Sequence, residues 1–213
     1  MRQYLCDNLA CRGCHNPTCT EGVGPERVWA TCKNLNWYLR LLRHLAYQDL
    51  TKLRLFACEC AREVWSLLST DDSRIAVGVS EMYARGQATA GQLKIAHKDS
   101  VRAISEVLEG SAAWAAAWAA ERACLPSAWD SVAASHWAAN ALARADWEGW
   151  CGKQGVSAQL PSETFEDWYA TQLPDQPNDR HDFDTTRAFL VTRAEQVGRF
   201  RELVPWTTVR SLL

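Results

Sequence analysis

The chain has 213 residues, of which 47% are hydrophobic and 23% charged, and its formal net charge is −2. This composition excludes a mainly disordered or collagen-like chain, and no apolar run reaches the roughly 18 residues that a membrane-spanning helix needs. The near-neutral charge argues against bulk coating of nucleic acid. The first residues lack the apolar stretch of a secretory signal, so we expect a cytoplasmic protein without membrane association.

Four of the nine cysteines lie within the first twenty residues, in the pattern C-x4-C-x2-C-x4-C. In a reducing compartment, clustered cysteines indicate a metal site more often than disulfides. We therefore predict a small metal knuckle over residues 1–25, with structural zinc as the first choice and an iron–sulfur cluster as the less favoured alternative. Loosely packed or reactive thiols are the third interpretation. The candidate ligands are Cys6, Cys11, Cys14 and Cys19, with His15 as an alternative.

From residue 26 onward the apolar spacing predicts successive helices and no strand, so the expected fold is all-α: a single multi-helix bundle over 26–213. Gly86 suits a left-handed helix end, and Thr89 with Gln92 resembles a capping box. The predicted helices span residues 25–46, 50–68, 72–85, 89–124 with a bend at Gly110, 127–150, 162–172 and 184–200.

Alanine occupies sixteen of the 34 positions from 112 to 145, where Trp114, Trp118, Trp129 and Trp137 also lie. Alanine lets helix backbones approach closely, so this region predicts two antiparallel helices joined at Pro126, with tryptophan in the core. A surface on which nucleic-acid bases stack is the alternative. It is disfavoured because no Arg or Lys alternates with these tryptophans.

Residues 146–184 form an irregular segment with nine acidic and two basic residues, a local charge of −7. Aromatic residues inside a charged rim are typical of protein interfaces, so we predict that this segment binds a protein partner, with a basic toxin or defence protein as the candidate. A solvated acidic loop is the alternative. The predicted contact residues are Trp147, Trp150, Glu163, Glu166, Asp167 and Trp168.

The stretch from Lys52 to Trp65, followed by 72–77 and 83–86, resembles a motif of immunity proteins and of uncharacterised bacterial and phage helical proteins. The resemblance covers about residues 52–145. It implies an all-α fold and a binding rather than a catalytic role, and it carries no active site. The matching residues are Arg54, Cys58, Cys60, Arg62, Trp65, Arg74, Tyr83 and Gly86.

Three functional hypotheses follow from these features. The first is a non-enzymatic binding protein, of the immunity or counter-defence kind, that neutralises a protein partner. The second is a zinc-stabilised, nucleic-acid-associated protein in which Arg2, Arg12, Arg27 and Lys33 contact phosphates. The third is a redox protein that uses a metal cluster at the N-terminus. No phosphate-binding glycine loop and no H-E-x-x-H or G-x-S-x-G motif occurs, so no enzyme class is favoured.

Overall fold

The computed structural model describes residues 25–155, 157–158 and 186–212, and all the regular elements in these ranges are helices. The predicted all-α fold class is confirmed. Residues 1–24, which hold the predicted metal knuckle, lie outside the described residues. The α-helices are α1 (Pro25–Thr31), α2 (Leu35–His44), α3 (Leu50–Glu63), α4 (Asp71–Ala84), α5 (Ala90–Ile104), α6 (Ala112–Ala123), α7 (Ala128–Ser131), α8 (Ala134–Gln154), α9 (Arg187–Leu203) and α10 (Trp206–Arg210).

The chain divides into two compact units. One unit is Thr51–Thr192 and contains α4 to α8. The other combines Met1–Leu50 with Arg193–Leu213 and contains α1, α2 and α10. The sequence has no break in composition at these boundaries, which is why it predicts one helical body over 26–213.

Several predicted helices are interrupted by side chains that cap a new helix. The prediction of one helix over 25–46 is wrong, because α1 ends at Thr31 and Asn34 starts α2. The Asn34 side-chain oxygen accepts hydrogen bonds from the backbone N–H groups of Asn36 (3.0 Å) and Trp37 (3.3 Å). Such a cap satisfies N–H groups that have no partner inside the helix, so the chain restarts there.

The prediction of one long helix over 89–124 is also wrong, because α5 ends at Ile104 and α6 begins at Ala112. Gly110 adopts a φ of 84°, and the hydroxyl of Ser111 accepts the N–H of Trp114 at 3.1 Å. The helix predicted over 127–150 likewise consists of the single turn α7 and the long α8. The expected bend at Gly110 is therefore a complete break between two helices.

The predicted helix end at Gly86 and the predicted capping box of Thr89 and Gln92 are confirmed. α4 spans Asp71–Ala84 and is followed by Gly86, whose φ is 72°. The Thr89 hydroxyl accepts the N–H of Gln92 at 3.2 Å, and the Gln92 side chain accepts the N–H of Thr89 at 2.8 Å. This reciprocal pair is a capping box.

The centre of the Thr51–Thr192 unit is built from alanine. Helices α6 and α8 pack against each other. The N–H of Ala112 meets the Glu148 carboxylate at 2.6 Å, whereas Trp118 contacts Trp137, so the two helices are antiparallel as predicted. The alanines between them are buried, and the tryptophans are half-buried at the edge of the pair. Fully buried alanines include Ala115, Ala116, Ala119, Ala120, Ala138, Ala139, Ala141 and Ala143.

The other unit has an aromatic core. The Tyr38 ring lies 4.6 Å from that of Trp29 and 6.1 Å from that of Phe200, and its hydroxyl reaches the carbonyl of Cys32 at 2.7 Å. Trp206 on α10 also packs against Trp29, with ring centroids 6.3 Å apart. Aromatic residues separated by more than 150 positions in the sequence therefore close this unit.

Candidate binding surface

Arg54 is a buried arginine on α3 that holds the chain where α6 ends. Its guanidinium donates to the carbonyl oxygens of Leu125 (2.8 Å) and Pro126 (2.7 Å) and lies 5.2 Å from the centre of the Tyr83 ring. Burial lowers the pKa of Arg54 from its ordinary value. Carbonyl groups at a helix C-terminus carry partial negative charge, which stabilises a cation there. Arg54 therefore joins α3 to the end of α6.

Two other arginines of the motif also join neighbouring segments. Arg62 on α3 binds both carboxylate oxygens of Glu81 on α4 at 2.8 Å and lies 4.2 Å from the centre of the Trp65 ring. Arg74 donates to the carbonyl oxygen of Leu68. Arg54, Arg62 and Arg74 thus each contact a neighbouring segment of the same chain.

The buried cysteines of this unit are structural. Burial raises the pKa of Cys58 to about 11 and that of Cys124 to about 12. The Cys124 thiol also donates to the Leu93 carbonyl at 3.6 Å. A thiol that stays protonated at neutral pH is a poor nucleophile and a poor metal ligand. Cys58 and Cys124 are therefore small core side chains.

A histidine–carboxylate pair links α5 to α6. Nε2 of His97 lies 2.7 Å from Oε1 of the buried Glu121, whose second oxygen lies 3.2 Å from Nε of Arg122. The Arg122 guanidinium in turn lies 5.0 Å from the centre of the Trp118 ring. The pair was not predicted, because His97 and Glu121 lie on separate helices and only packing brings them together.

Three tryptophans form a half-buried cluster beside α6 and α8. Trp118 and Trp137 are stacked with ring centroids 5.4 Å apart, and Trp114 meets Trp137 edge-on at 5.5 Å. Two arginines lie near these rings, although no Arg or Lys alternates with the tryptophans in the sequence. Arg122 lies near the Trp118 ring, and Arg144 lies 5.8 Å from the centre of the Trp114 ring. Each of these rings therefore contacts another tryptophan or an arginine of the same chain.

The predicted contact residues are only partly within the described residues. Trp147 is 3% exposed, and its indole N–H donates to the Ala158 carbonyl at 3.3 Å. Trp150 is half-buried and stacks on Trp147 at 5.6 Å. Because α8 continues to Gln154, Trp147 lies on the buried side of a helix and is a core residue rather than a surface anchor. Outside the described residues lie Glu163, Glu166, Asp167 and Trp168.

The predicted metal ligands also lie outside the described residues: Cys6, Cys11, Cys14, Cys19 and His15. Within the described ranges, the structure places no group of three or more His, Cys, Asp or Glu residues where they could hold a metal ion.

An exposed apolar strip lies on the hairpin of α4 and α5. Ile75 and Met82 are seven residues apart on α4, hence on the same side, and are 56% and 40% exposed. Ile95 on α5 is 64% exposed. Exposed apolar residues scattered singly are ordinary, whereas an aligned group indicates an interaction site.

The register of the hairpin brings these side chains together. Asp72 on α4 pairs with Arg102 on α5 at 2.8 Å, and Val79 packs in the same cluster as Leu93 near the other end. The helices are therefore antiparallel, and counting seven residues along each from the Asp72–Arg102 pair places Ile95 opposite the half-buried Val79. We call Ile75, Val79, Met82 and Ile95 the hairpin strip.

Helix α5 also carries two exposed lysines. Lys94 and Lys98 are one helical turn apart, both are exposed, and neither pairs with an acidic side chain of the described chain. Asp72 and Asp99, by contrast, are both paired with Arg102, at 2.8 and 3.3 Å.

The fold and this surface define an all-α protein that presents an apolar strip on a helical hairpin. In the described ranges each helix is too short or too polar to traverse a lipid bilayer. No protein-family model matches the sequence, and searches of curated proteins and of solved structures give no significant match.

Proposed function

We propose that the protein is a non-enzymatic binding protein of the immunity or counter-defence kind, which neutralises a protein partner by covering part of its surface. The observation that carries this proposal is the hairpin strip, an aligned apolar surface on two packed helices. Helical hairpins with exposed apolar side chains are suited to contact another protein. A cytoplasmic location and a structural zinc at the N-terminal cysteines belong to the same proposal.

The motif residues support a binding role. Arg54 and Arg62 are engaged with backbone carbonyls and with Glu81, and Cys58 is a protonated core thiol. The Arg62–Glu81 pair ties α4, one helix of the hairpin, to α3. A firmly held hairpin presents its outer side chains in a fixed arrangement, which lowers the entropy lost on binding.

Neutralisation can be tested in bacteria that express a panel of protein toxins and anti-phage defence proteins. We expect the wild-type protein to rescue growth against one of them and the Ile75→Asp, Ile95→Asp variant to fail, because a charge in an apolar contact must be desolvated without a partner. Val191→Asp is the matched control, since Val191 is 48% exposed but lies outside the hairpin. Rescue by the hairpin variant would remove the strip from the proposal.

A separate experiment tests the proposal that the protein neutralises its partner by binding rather than by catalysis. Purified protein should inhibit the rescued toxin only when it is supplied in stoichiometric amounts, and the two proteins should elute together from a gel-filtration column. Inhibition at a small fraction of the toxin concentration, with a change in the toxin's intact mass, would instead establish an enzyme.

A further inference from the structure

We infer that the exposed side of α2 binds double-stranded DNA, with its polar and basic side chains in the major groove. The inference goes beyond the proposed function and does not depend on it, because it concerns the compact unit that lacks the hairpin. It combines the charge of that unit, the distribution of side chains around α2, and the short turn that joins α1 to α2.

The unit that contains α2 is basic, although the chain as a whole is acidic. Met1–Leu50 and Arg193–Leu213 together hold ten basic and six acidic residues, a net charge of +4, whereas the whole chain carries −2. Tertiary contacts join these two distant parts, because Arg201 on α9 donates to the Ala30 carbonyl on α1. The near-neutral charge of the chain therefore conceals a basic unit, and such a unit attracts the phosphates of a nucleic acid.

Helix α2 has an apolar side, which is buried, and a basic side, which is exposed. The exposed side carries Asn36, Arg40 and Arg43 at positions i, i+4 and i+7, which share one face of a helix. No acidic residue occurs in α2, and the nearest ones in the sequence are Glu26 and Asp49. This face is therefore complementary to a polyanion. The buried residues of the apolar side are Leu35, Trp37, Tyr38, Leu41 and Leu42.

The connection between α1 and α2 suits a DNA duplex. Helix α1 ends at Thr31, and a turn of three residues, 32–34, leads to α2. The Tyr38 hydroxyl on the buried side of α2 reaches the Cys32 carbonyl at 2.7 Å, and the Tyr38 ring lies 4.6 Å from that of Trp29 on α1. Helix–turn–helix proteins also join two helices by a turn of this length and place the second in the major groove. Asparagine and arginine are side chains that read base edges there.

An anionic membrane and double-stranded RNA are the competing occupants of a basic helix face. A helix that binds a lipid surface inserts apolar side chains. Within α2, however, Leu39 is the one apolar side chain that is not buried, and it is half-buried. The major groove of RNA is too deep and narrow for side chains to read, whereas that of DNA admits a helix. The observations therefore favour a DNA duplex.

Fluorescence anisotropy with the full chain tests the inference. The probe is a fluorescent DNA duplex of mixed sequence, and the comparison probes are an RNA duplex of the same sequence and polyglutamate. We expect the logarithm of the affinity for DNA to fall linearly with the logarithm of the salt concentration, with a slope of about −0.9 for each phosphate contacted. Binding of the RNA duplex and of polyglutamate should be at least about tenfold weaker.

Three double variants locate the DNA. Lys33 lies in the turn before α2, and both Lys33 and Arg40 are exposed. Lys33→Glu, Arg40→Glu should weaken DNA binding by about tenfold or more and reduce the salt slope by about two. Lys33→Arg, Arg40→Lys keeps both charges and should keep the slope. Lys94→Glu, Lys98→Glu makes the same change in net charge at exposed sites in the other unit and should leave DNA binding unchanged.

Several outcomes would overturn the inference. These are absence of DNA binding, binding that salt does not weaken, and an equal loss of binding in the two glutamate variants. Equal affinity for DNA, for the RNA duplex or for polyglutamate would show attraction by charge alone. Binding to vesicles of phosphatidylserine and phosphatidylcholine without DNA binding would assign the face to a membrane. Toxin rescue bears on the proposed function alone, so either proposal can fail while the other stands.

Discussion

At the scale of single residues, the buried polar side chains of the Thr51–Thr192 unit join helices. Arg54 is the clearest case, because its guanidinium donates to the carbonyls of Leu125 and Pro126, just beyond the end of α6. Glu121 has the same kind of role between His97 and Arg122. Each of these groups would lack a partner if the helix opposite it moved away, so they favour one packing arrangement over others.

Replacement of Arg54 by alanine should therefore lower the stability of the fold substantially. The variant leaves buried carbonyl oxygens without donors, and we expect the free energy of unfolding to fall by about 3 kcal/mol. Urea unfolding followed by circular dichroism measures the change. The exposed Arg85 is the control, and Arg85→Ala should stay within about 0.5 kcal/mol of the wild type. Equal effects of the two substitutions would contradict the role assigned to Arg54.

The buried thiols predict a loss of stability at alkaline pH. Folding raises the pKa of Cys58 from 9.0 to about 11 and that of Cys124 from 9.0 to about 12, through burial. The contribution of these thiols to the free energy of unfolding is therefore complete below about pH 9. It is lost as the pH rises through the native pKa values, because the thiols of the unfolded chain ionise at a lower pH than those of the folded chain. Unfolding in urea between pH 8 and 11 should show this decline.

The same pKa values predict slow modification of the native thiols. At pH 8, Ellman's reagent should react with Cys58 and Cys124 only after denaturant is added. The Cys58→Ala, Cys124→Ala variant should have a shallower pH dependence of stability than the wild type. A decline that is as steep in this variant would show that other groups cause it.

At the scale of the element, short polar caps and glycines set where helices begin and end. Asn34 and Ser111 each accept backbone N–H groups at the start of a helix, where the sequence periodicity alone predicts continuous helix. Gly86 ends α4 with a positive φ, which a residue with a side chain adopts only with strain. The hairpin of α4 and α5 therefore depends on Gly86 and on the Thr89 cap for its turn.

Two substitutions of glycine by alanine should change the free energy of unfolding in opposite directions. Gly86→Ala places a Cβ at a φ of 72° and should lower the free energy of unfolding by about 1 kcal/mol. Gly198 lies inside α9, where a Cβ atom meets nothing within 4 Å, so Gly198→Ala should raise it by about 0.5–1 kcal/mol. Urea unfolding measures both, and a stabilising effect of Gly86→Ala would refute its role as a helix end.

At the scale of the whole molecule, opposite charges occupy different parts of the chain. Residues 146–184 carry −7, whereas 1–45 and 185–213 carry +3 each. A polarised chain of this kind favours steered association, so charge changes in different regions should have separable effects.

The acidic segment remains a predicted contact for a basic partner. Charge reversal by Glu166→Lys, Asp167→Lys should slow association with the neutralised toxin at low salt and have little effect at high salt, because screening removes long-range steering. Stopped-flow measurement of the association rate tests this. An unchanged rate at low salt would remove the segment from the interface.

The N-terminal cysteines remain a predicted zinc site, and metal analysis of protein purified without added metal tests it. We expect one zinc ion per chain in the wild type and none in the Cys11→Ser, Cys14→Ser variant, because loss of two of four ligands abolishes tight binding. Iron with visible absorbance would favour the cluster alternative. Wild-type protein that contains no metal would contradict the predicted zinc site and indicate that these cysteines are ordinary thiols.

The sequence by itself determined the all-α class, the limits of α4, the capping box at Thr89 and the antiparallel packing of the alanine-rich helices. These features depend on local propensity and periodicity, which neighbouring residues carry. Only the tertiary structure decided that Trp147 is buried, that Arg144 reaches the tryptophan cluster, and that Asp72 on α4 pairs with Arg102 on α5. Each of these depends on which helix faces which, and helix-to-helix register comes from packing between residues far apart in the chain.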